Sequence, residues 1–332
     1  MPRRRLVRND VGVYIAVEIG SIFRECPAPN MSQRLGSDFA GLSVAIVTPF
    51  RDGEVDYARL SEQIEFQIDG GVTALVPVGT TGESPTLTHD EHERVIDHTI
   101  QTAAGRVKVM AGTGSNSTAE ALRLTRRAAA AGADATLQVA PYYNKPTAEG
   151  FYQHYKAIAE SVDIPVCVYN IPGRSGKEID VPTIQRLSEV PGITMVKEAT
   201  GKLDQCSSIL STTNLTVLSG DDSLTVPMMS VGAEGVISVV SNVVPSAMKQ
   251  MVDAAAAGDY AAAGEKHRRL FQLCNEMLGL ATNPIPVKSA MAMLGRDTGE
   301  MRLPMTPLDD HLRAGLQETL MRFGLESAVS VG

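Results

Sequence analysis

Cysteine is scarce in this chain. Of 332 residues only Cys26, Cys167, Cys206 and Cys274 are cysteine, scattered and without a C-x-x-C pair. Two of them sit in apolar, core-like segments, so no disulfide scaffold is expected and a reducing, cytoplasmic setting suits the chain. Positive charge is also short. Thirty Lys and Arg against 38 Asp and Glu give a net charge of -8, which excludes the electrostatic footprint of a nucleic-acid binder. No segment reaches the roughly 18 apolar residues that a membrane span needs. No G-x-G-x-x-G follows the first strand-like run, and no H-E-x-x-H occurs, which removes the usual signatures of dinucleotide and zinc chemistry.

What is present supports a large core: 43% of residues are hydrophobic and 20% charged. The first 37 residues read apart from the rest. Arg3, Arg4, Arg5 and Arg8 precede an apolar stretch from Val11 to Phe23 that Glu18 interrupts, with no convincing small-x-small cleavage site. Residues 1–37 are therefore expected to be a dispensable extension without stable structure, with the initiator left open between Met1 and Met31 and export as the alternative reading.

From Leu42 onward, short β-branched runs alternate with amphipathic stretches. The runs are Leu42–Phe50, Thr73–Val78, Val107–Gly112, Ala135–Ala140, Val166–Asn170, Ile193–Ala199, Leu215–Gly220 and Gly235–Val240. Helical patterning falls between them at Tyr57–Asp69, His89–Ala103, Thr118–Ala131 and Ala148–Ser161. Near-continuous apolar strands separated by helices imply a parallel sheet buried on both faces. Eight such units predict a closed (β/α)8 TIM barrel over residues 38–257. Ser246–Ala257, Tyr260–Leu280, Pro284–Leu294 and Leu308–Phe323 read as helices, so a small C-terminal helical region is expected over 258–332.

Active sites of such barrels lie at the C-terminal ends of the strands. Thr80 and Thr81, Asn116, Tyr142 and Tyr143, Tyr169, Lys197, Asp221 and Ser238 all fall on that rim. Lys197 ends the apolar run ITMVKEAT, where burial would lower its pKa and free a neutral amine able to form a Schiff base. A lysine that merely ends a strand and reaches water is the ordinary alternative. Gly79–Ser84, GTTGES, is a loop of small residues whose backbone N–H groups suit the carboxylate of a 2-oxo acid. Tyr169 is placed to exchange a proton, and the Arg174 fork in GRSG suits a second carboxylate.

GTTGES, PYYNKP, YNIPGRSG, VKEATG, SGDD, GVISV and NPIPVK, in that order between about Gly41 and Pro307, resemble the dihydrodipicolinate synthases of the pyruvate-dependent class I aldolase superfamily. The resemblance implies that Lys197 forms the Schiff base with pyruvate and that Tyr169, Thr80 and Tyr143 form a proton relay, Tyr143 acting in a neighbouring subunit. It implies that Thr81 and the Ile237 backbone hold pyruvate, and that Arg174 holds L-aspartate-4-semialdehyde. Ser84, His89, His92, Asn116, Glu120 and Tyr142 match positions that line an L-lysine inhibitor site in sensitive relatives. A homotetramer, a dimer of dimers, is implied, with no metal and no organic cofactor.

Other readings of the residues remain open. His89 and His92 have a zinc-compatible spacing but no further ligands at a strand end. Thr88 with Glu91, and Ser117 with Glu120, read as helix capping boxes. A sugar-acid aldolase of the same superfamily, of N-acetylneuraminate or 2-keto-3-deoxy-gluconate type, shares the lysine and tyrosine. A non-catalytic binding protein could use the same scaffold.

Overall fold

The computed structural model describes residues 4–8, 14–18 and 34–325. Cys26 and Met31 lie outside them. Within the first 37 residues, Arg4–Arg8 pairs antiparallel with Tyr14–Glu18, Arg4 opposite Glu18. A separate compact unit begins at Arg34.

That unit is the expected barrel. Eight parallel strands, β1 (Gly41–Ala45), β2 (Ala74–Val76), β3 (Lys108–Gly112), β4 (Ala135–Val139), β5 (Val166–Asn170), β6 (Ile193–Glu198), β7 (Thr216–Ser219) and β8 (Gly235–Ser238), follow one another around a closed ring. Between them run α1 (Tyr57–Asp69), α2 (His89–Ala103), α3 (Thr118–Ala131), α4 (Ala148–Ala159), α5 (Val181–Leu187), α6 (Leu203–Thr212) and α7 (Thr225–Ser230). After β8 come α8 (Pro245–Ala256), α9 (Tyr260–Leu278), α10 (Ile285–Met293) and α11 (Asp310–Phe323). Helices α9 to α11 pack on one another and share one apolar cluster with β1, β2 and α8.

The expected first strand, Leu42–Phe50, is too long. The ladder stops at Ala45 because the Val47 N–H is taken by the Asn242 side chain at 3.2 Å. Pro49 follows and cannot donate. Phe50–Arg51 instead pairs antiparallel with Glu54–Val55.

Strand parity decides what enters the barrel. In β6, Met195 joins the lumen cluster with Ala45, Val76, Met110, Leu137, Leu218 and Ile237, while Val196 packs outward against the helices. Alternation along a strand makes this unavoidable, and it sends Lys197 inward one layer above Met195. Phe39, 2% exposed, belongs to the same lumen cluster, with the Lys108 ammonium 4.9 Å from its ring centre. Each large apolar side chain buried in these layers contributes about 1.5–3 kcal/mol, so the lumen below Lys197 is packed rather than wet. Where β8 closes on β1, a Cβ on Gly235 would lie 2.0 Å from the Gly41 carbonyl oxygen, so only glycine permits that approach.

Candidate active site

Parallel pairing sets Lys197 of β6 beside Tyr169 of β5. The Lys197 Nζ lies 4.2 Å from the centre of the Tyr169 ring. Both are enclosed, at 5% and 6% exposure. Burial lowers the Lys197 pKa from 10.5 to about 8, although Asp221 and Asp222 pull the other way. Burial likewise pushes the Tyr169 phenol well above its ordinary value, keeping it a proton donor, with Arg174 opposing. Gly220 makes room for the amine. A Cβ there would stand 3.2 Å from the Lys197 Cε and 2.5 Å from the Ala199 Cβ.

The lysine opens into a cavity of about 770 Å³. Thr80 and Thr81 line it from the β2 loop, Arg174 from the β5 loop, and Asp221 and Asp222 from the β7 loop. In the GTTGES loop, the N–H groups of Gly82, Glu83 and Ser84 are spent on the carbonyls of Gly79 and Thr80 at 3.1–3.3 Å. The amides of Gly79, Thr80 and Thr81 have no acceptor among the described residues, which narrows the anion cradle to these three. Val78 and Glu83 flank them with φ of 49° and 53°. A β-branched residue in the left-handed region is strained backbone, of the kind that clusters at functional sites.

Asp222 organises the opposite wall. It accepts the Ser238 hydroxyl and the N–H groups of Val239 and Val240, at 3.0 and 3.2 Å, tying the β7 loop to the end of β8. Burial raises its pKa even so. Asp221 is also raised by burial, and its side-chain oxygens have no hydrogen-bond donor among the described residues.

Ser84, His89, His92, Glu120 and Tyr142, the positions expected to line an inhibitor site, line the same cavity. His89 Nε2 is 3.3 Å from Glu120. His92 is buried, which lowers its pKa to about 4, so the ring is neutral. Thr88 and Glu91 form the expected capping box on α2. Ser117 and Glu120 do not: Ser117 makes no side-chain cap, and Glu120 accepts the Ser115 hydroxyl instead. No metal-ligand cluster occurs among the described residues.

Three expected site residues stand outside this cavity. Tyr143 is 89% exposed, with φ 72°. Asn116 donates its amide to the Tyr142 carbonyl at 3.2 Å. Ile237 is buried in the lumen and lines the cavity with no atom.

The model of the dihydrodipicolinate synthetase family matches residues 38–322. The chain belongs to that family. A relative from Syntrophus aciditrophicus, named 4-hydroxy-tetrahydrodipicolinate synthase, is 49% identical over 289 residues, 86% of this chain and 99% of its own. The dihydrodipicolinate synthase of Acinetobacter baumannii, solved in complex with pyruvate, is 44% identical, with TM-score 0.84 over 86% of this chain and 99% of that one. The enzyme of Cyanidioschyzon merolae, solved with lysine bound, is 38% identical, with TM-score 0.84 over 87% and 99%.

Sequence reasoning missed Asn283. Its side-chain amide donates to the Thr81 hydroxyl at 3.0 Å, and its backbone carbonyl accepts from Arg174 at 3.1 Å, so it joins two sides of the cavity. An Asn-Pro turn opening a helix gives no outward signal of that role. Asp222 was visible only as half of SGDD.

Only the neutral amine attacks a carbonyl, and the Lys197 pKa lies below its ordinary value, so reactivity should rise with pH towards about 8. Borohydride trapping of pyruvate should slow about tenfold per pH unit below that point and level off above it. A rate that keeps climbing to the ordinary lysine pKa would contradict the buried amine.

Proposed function

We propose that this chain condenses pyruvate with L-aspartate-4-semialdehyde to 4-hydroxy-tetrahydrodipicolinate, opening the route to diaminopimelate and lysine. It is a lyase of the class I aldolase type. The observation that carries the reading is the enclosed Lys197 amine, held against Tyr169 at the floor of a cavity whose mouth bears Arg174. Three free, buried cysteines, Cys167, Cys206 and Cys274, suit a cytoplasmic enzyme.

The chemistry follows from that arrangement. The Lys197 amine adds to the pyruvate carbonyl carbon, and the carbinolamine loses water to give an imine. Tyr169 and Thr80 supply and remove the protons on this path. Thr81 and the free amides of the β2 loop hold the pyruvate carboxylate. Loss of a methyl proton leaves an enamine, whose carbon attacks the aldehyde of the second substrate. The amine of that substrate then displaces Lys197 and closes the ring. Holding both reactants in near-attack geometry supplies roughly 7–11 kcal/mol in well-oriented cases.

Arg174 is suited to the carboxylate of the second substrate. One of its donors is taken by the Asn283 carbonyl, and the rest of its fork has no protein acceptor among the described residues. Tyr143 completes the relay from a second copy of the chain, within a homotetramer built as a dimer of dimers. Its exposure and its left-handed backbone support that reading, as its side chain makes no hydrogen bond within its own subunit among the described residues.

We further assign Ser84, His89, His92, Asn116, Glu120 and Tyr142 to L-lysine as a feedback inhibitor. The Glu120 carboxylate suits the effector's ammonium. Because Tyr142 adjoins Tyr143, an occupied pocket would displace the relay without touching pyruvate.

Three measurements test these assignments. Arg174→Ala should lower kcat/KM for aspartate semialdehyde about a hundredfold, the scale of a lost charge-assisted contact, and leave pyruvate trapping on Lys197 intact. Equal damage to both steps would make Arg174 structural. Hybrids of Lys197→Ala and Tyr143→Phe chains should regain activity, since one site of each pair then has both groups. No recovery after proven subunit exchange would return Tyr143 to its own subunit. Glu120→Ala should relieve inhibition by L-lysine, partial or non-competitive against pyruvate, without lowering basal turnover. Inhibition that survives the change would remove the effector assignment.

A further inference from the structure

Lys288 lies in α10 with no exposed surface, inside the apolar run IPVKSAMAM, and the reaction above gives it nothing to do. Its Nζ donates to a Glu83 carboxylate oxygen at 2.7 Å and to the Thr48 carbonyl at 2.9 Å. It also sits 4.4 Å from the centre of the Phe50 ring. Glu83 is as enclosed, at 3% exposure, and its second oxygen accepts the Arg302 N–H at 3.2 Å. Thr48 completes the circuit by donating its hydroxyl to the Gly82 carbonyl at 2.7 Å. These contacts grip the β2 loop at Gly82 and Glu83, immediately after Thr81. From the same C-terminal segment, Asn283 reaches Thr81 itself.

A buried ion pair adds little net stability over an apolar pair of the same shape, so what it orients is the better account of its presence. We propose that Lys288 and Glu83 are positioning residues for the condensation. Their buried pair holds the strained backbone that carries Thr80 and Thr81, and so sets the pyruvate carboxylate against Lys197. The inference rests on the assignment of Lys197 and the threonine loop made above.

The double variant Glu83→Gln with Lys288→Met removes both charges together and leaves no lone ion in the core. Steady-state kinetics, pyruvate trapping and hydrogen exchange on the full-length enzyme read its effect. A melting curve close to that of the parent is expected. The pyruvate KM should rise, and the trapping rate fall, by about tenfold to a hundredfold, the scale of an ångström-sized misplacement. The KM for aspartate semialdehyde should stay unchanged, with faster exchange confined to residues 79–87. A purely structural pair would instead lower the amount of active enzyme at unchanged KM and loosen exchange throughout, which overturns the proposal. If the double variant does not fold, Lys288→Arg keeps the charge but replaces a point ammonium with a planar fork. A raised pyruvate KM in that variant supports the proposal, and an unchanged one overturns it. Failure of the parent enzyme to trap pyruvate would sink the Schiff-base assignment while leaving the exchange measurement able to judge the loop.

Discussion

A dry amine on the barrel axis is the constraint on which the rest depends. Lys197 is neutralisable near pH 8 because burial outweighs the carboxylates beside it. That balance requires a packed lumen below, where Met195, Leu218 and Cys167 exclude water. It also requires a glycine beside the amine, at Gly220, and an aromatic wall, at Tyr169. The Tyr169 ring face favours the ammonium form, so desolvation works against the ring as well as against Asp221 and Asp222. A Tyr169 replacement would therefore alter the amine and the proton donor together.

The catalytic loops are free to be strained because the C-terminal helices restrain them. Val78 and Glu83 hold left-handed backbone, at a cost of order 1–3 kcal/mol each. The opposing restraint comes from Lys288 in α10, from Asn283 at its entrance, and from Arg302, which donates to Glu91, Thr86 and Gly53. Removing one member of a buried ion pair costs about 3–5 kcal/mol, so the pair cannot be broken cheaply by thermal motion. The C-terminal segment thus holds the same loop that the proposed function gives to the substrate, although it does not carry Lys197.

Most of the fold was legible in the sequence because parallel barrel strands are apolar on both faces and stand out as runs. Tyr57–Asp69, His89–Ala103 and Thr118–Ala131 are helices with the boundaries that their periodicity implies. The first strand was misjudged because Ile46 and Val47 are as apolar as the residues before them, and only the Asn242 side chain, far along the chain, ends the ladder. The Ser117–Glu120 cap was misjudged for a related reason: Ser115, two residues earlier, competes successfully for the carboxylate. Site residues carried by strand parity, Lys197 and Tyr169, were readable from local pattern. Those joined by tertiary approach, Asn283 with Thr81 and Lys288 with Glu83, leave no periodic trace. Lys288 did carry one signal, a single charge inside an otherwise apolar helix.

The cavity of a single chain is continuous from Lys197 to Glu120, so under the proposed assignments chemistry and effector recognition share one space. Two functions in one open cavity interfere unless something divides it. The exposed Tyr143 adjoins Tyr142, which does line the outer part, and both lie on the loop after β4. In the proposed assembly, a second copy bringing its Tyr143 to the mouth would close the inner chamber and supply the third member of the proposed relay in one movement. Partition of the cavity and completion of the relay would then be the same event, and displacement at Tyr142 would reach the chemistry without contact with Lys197.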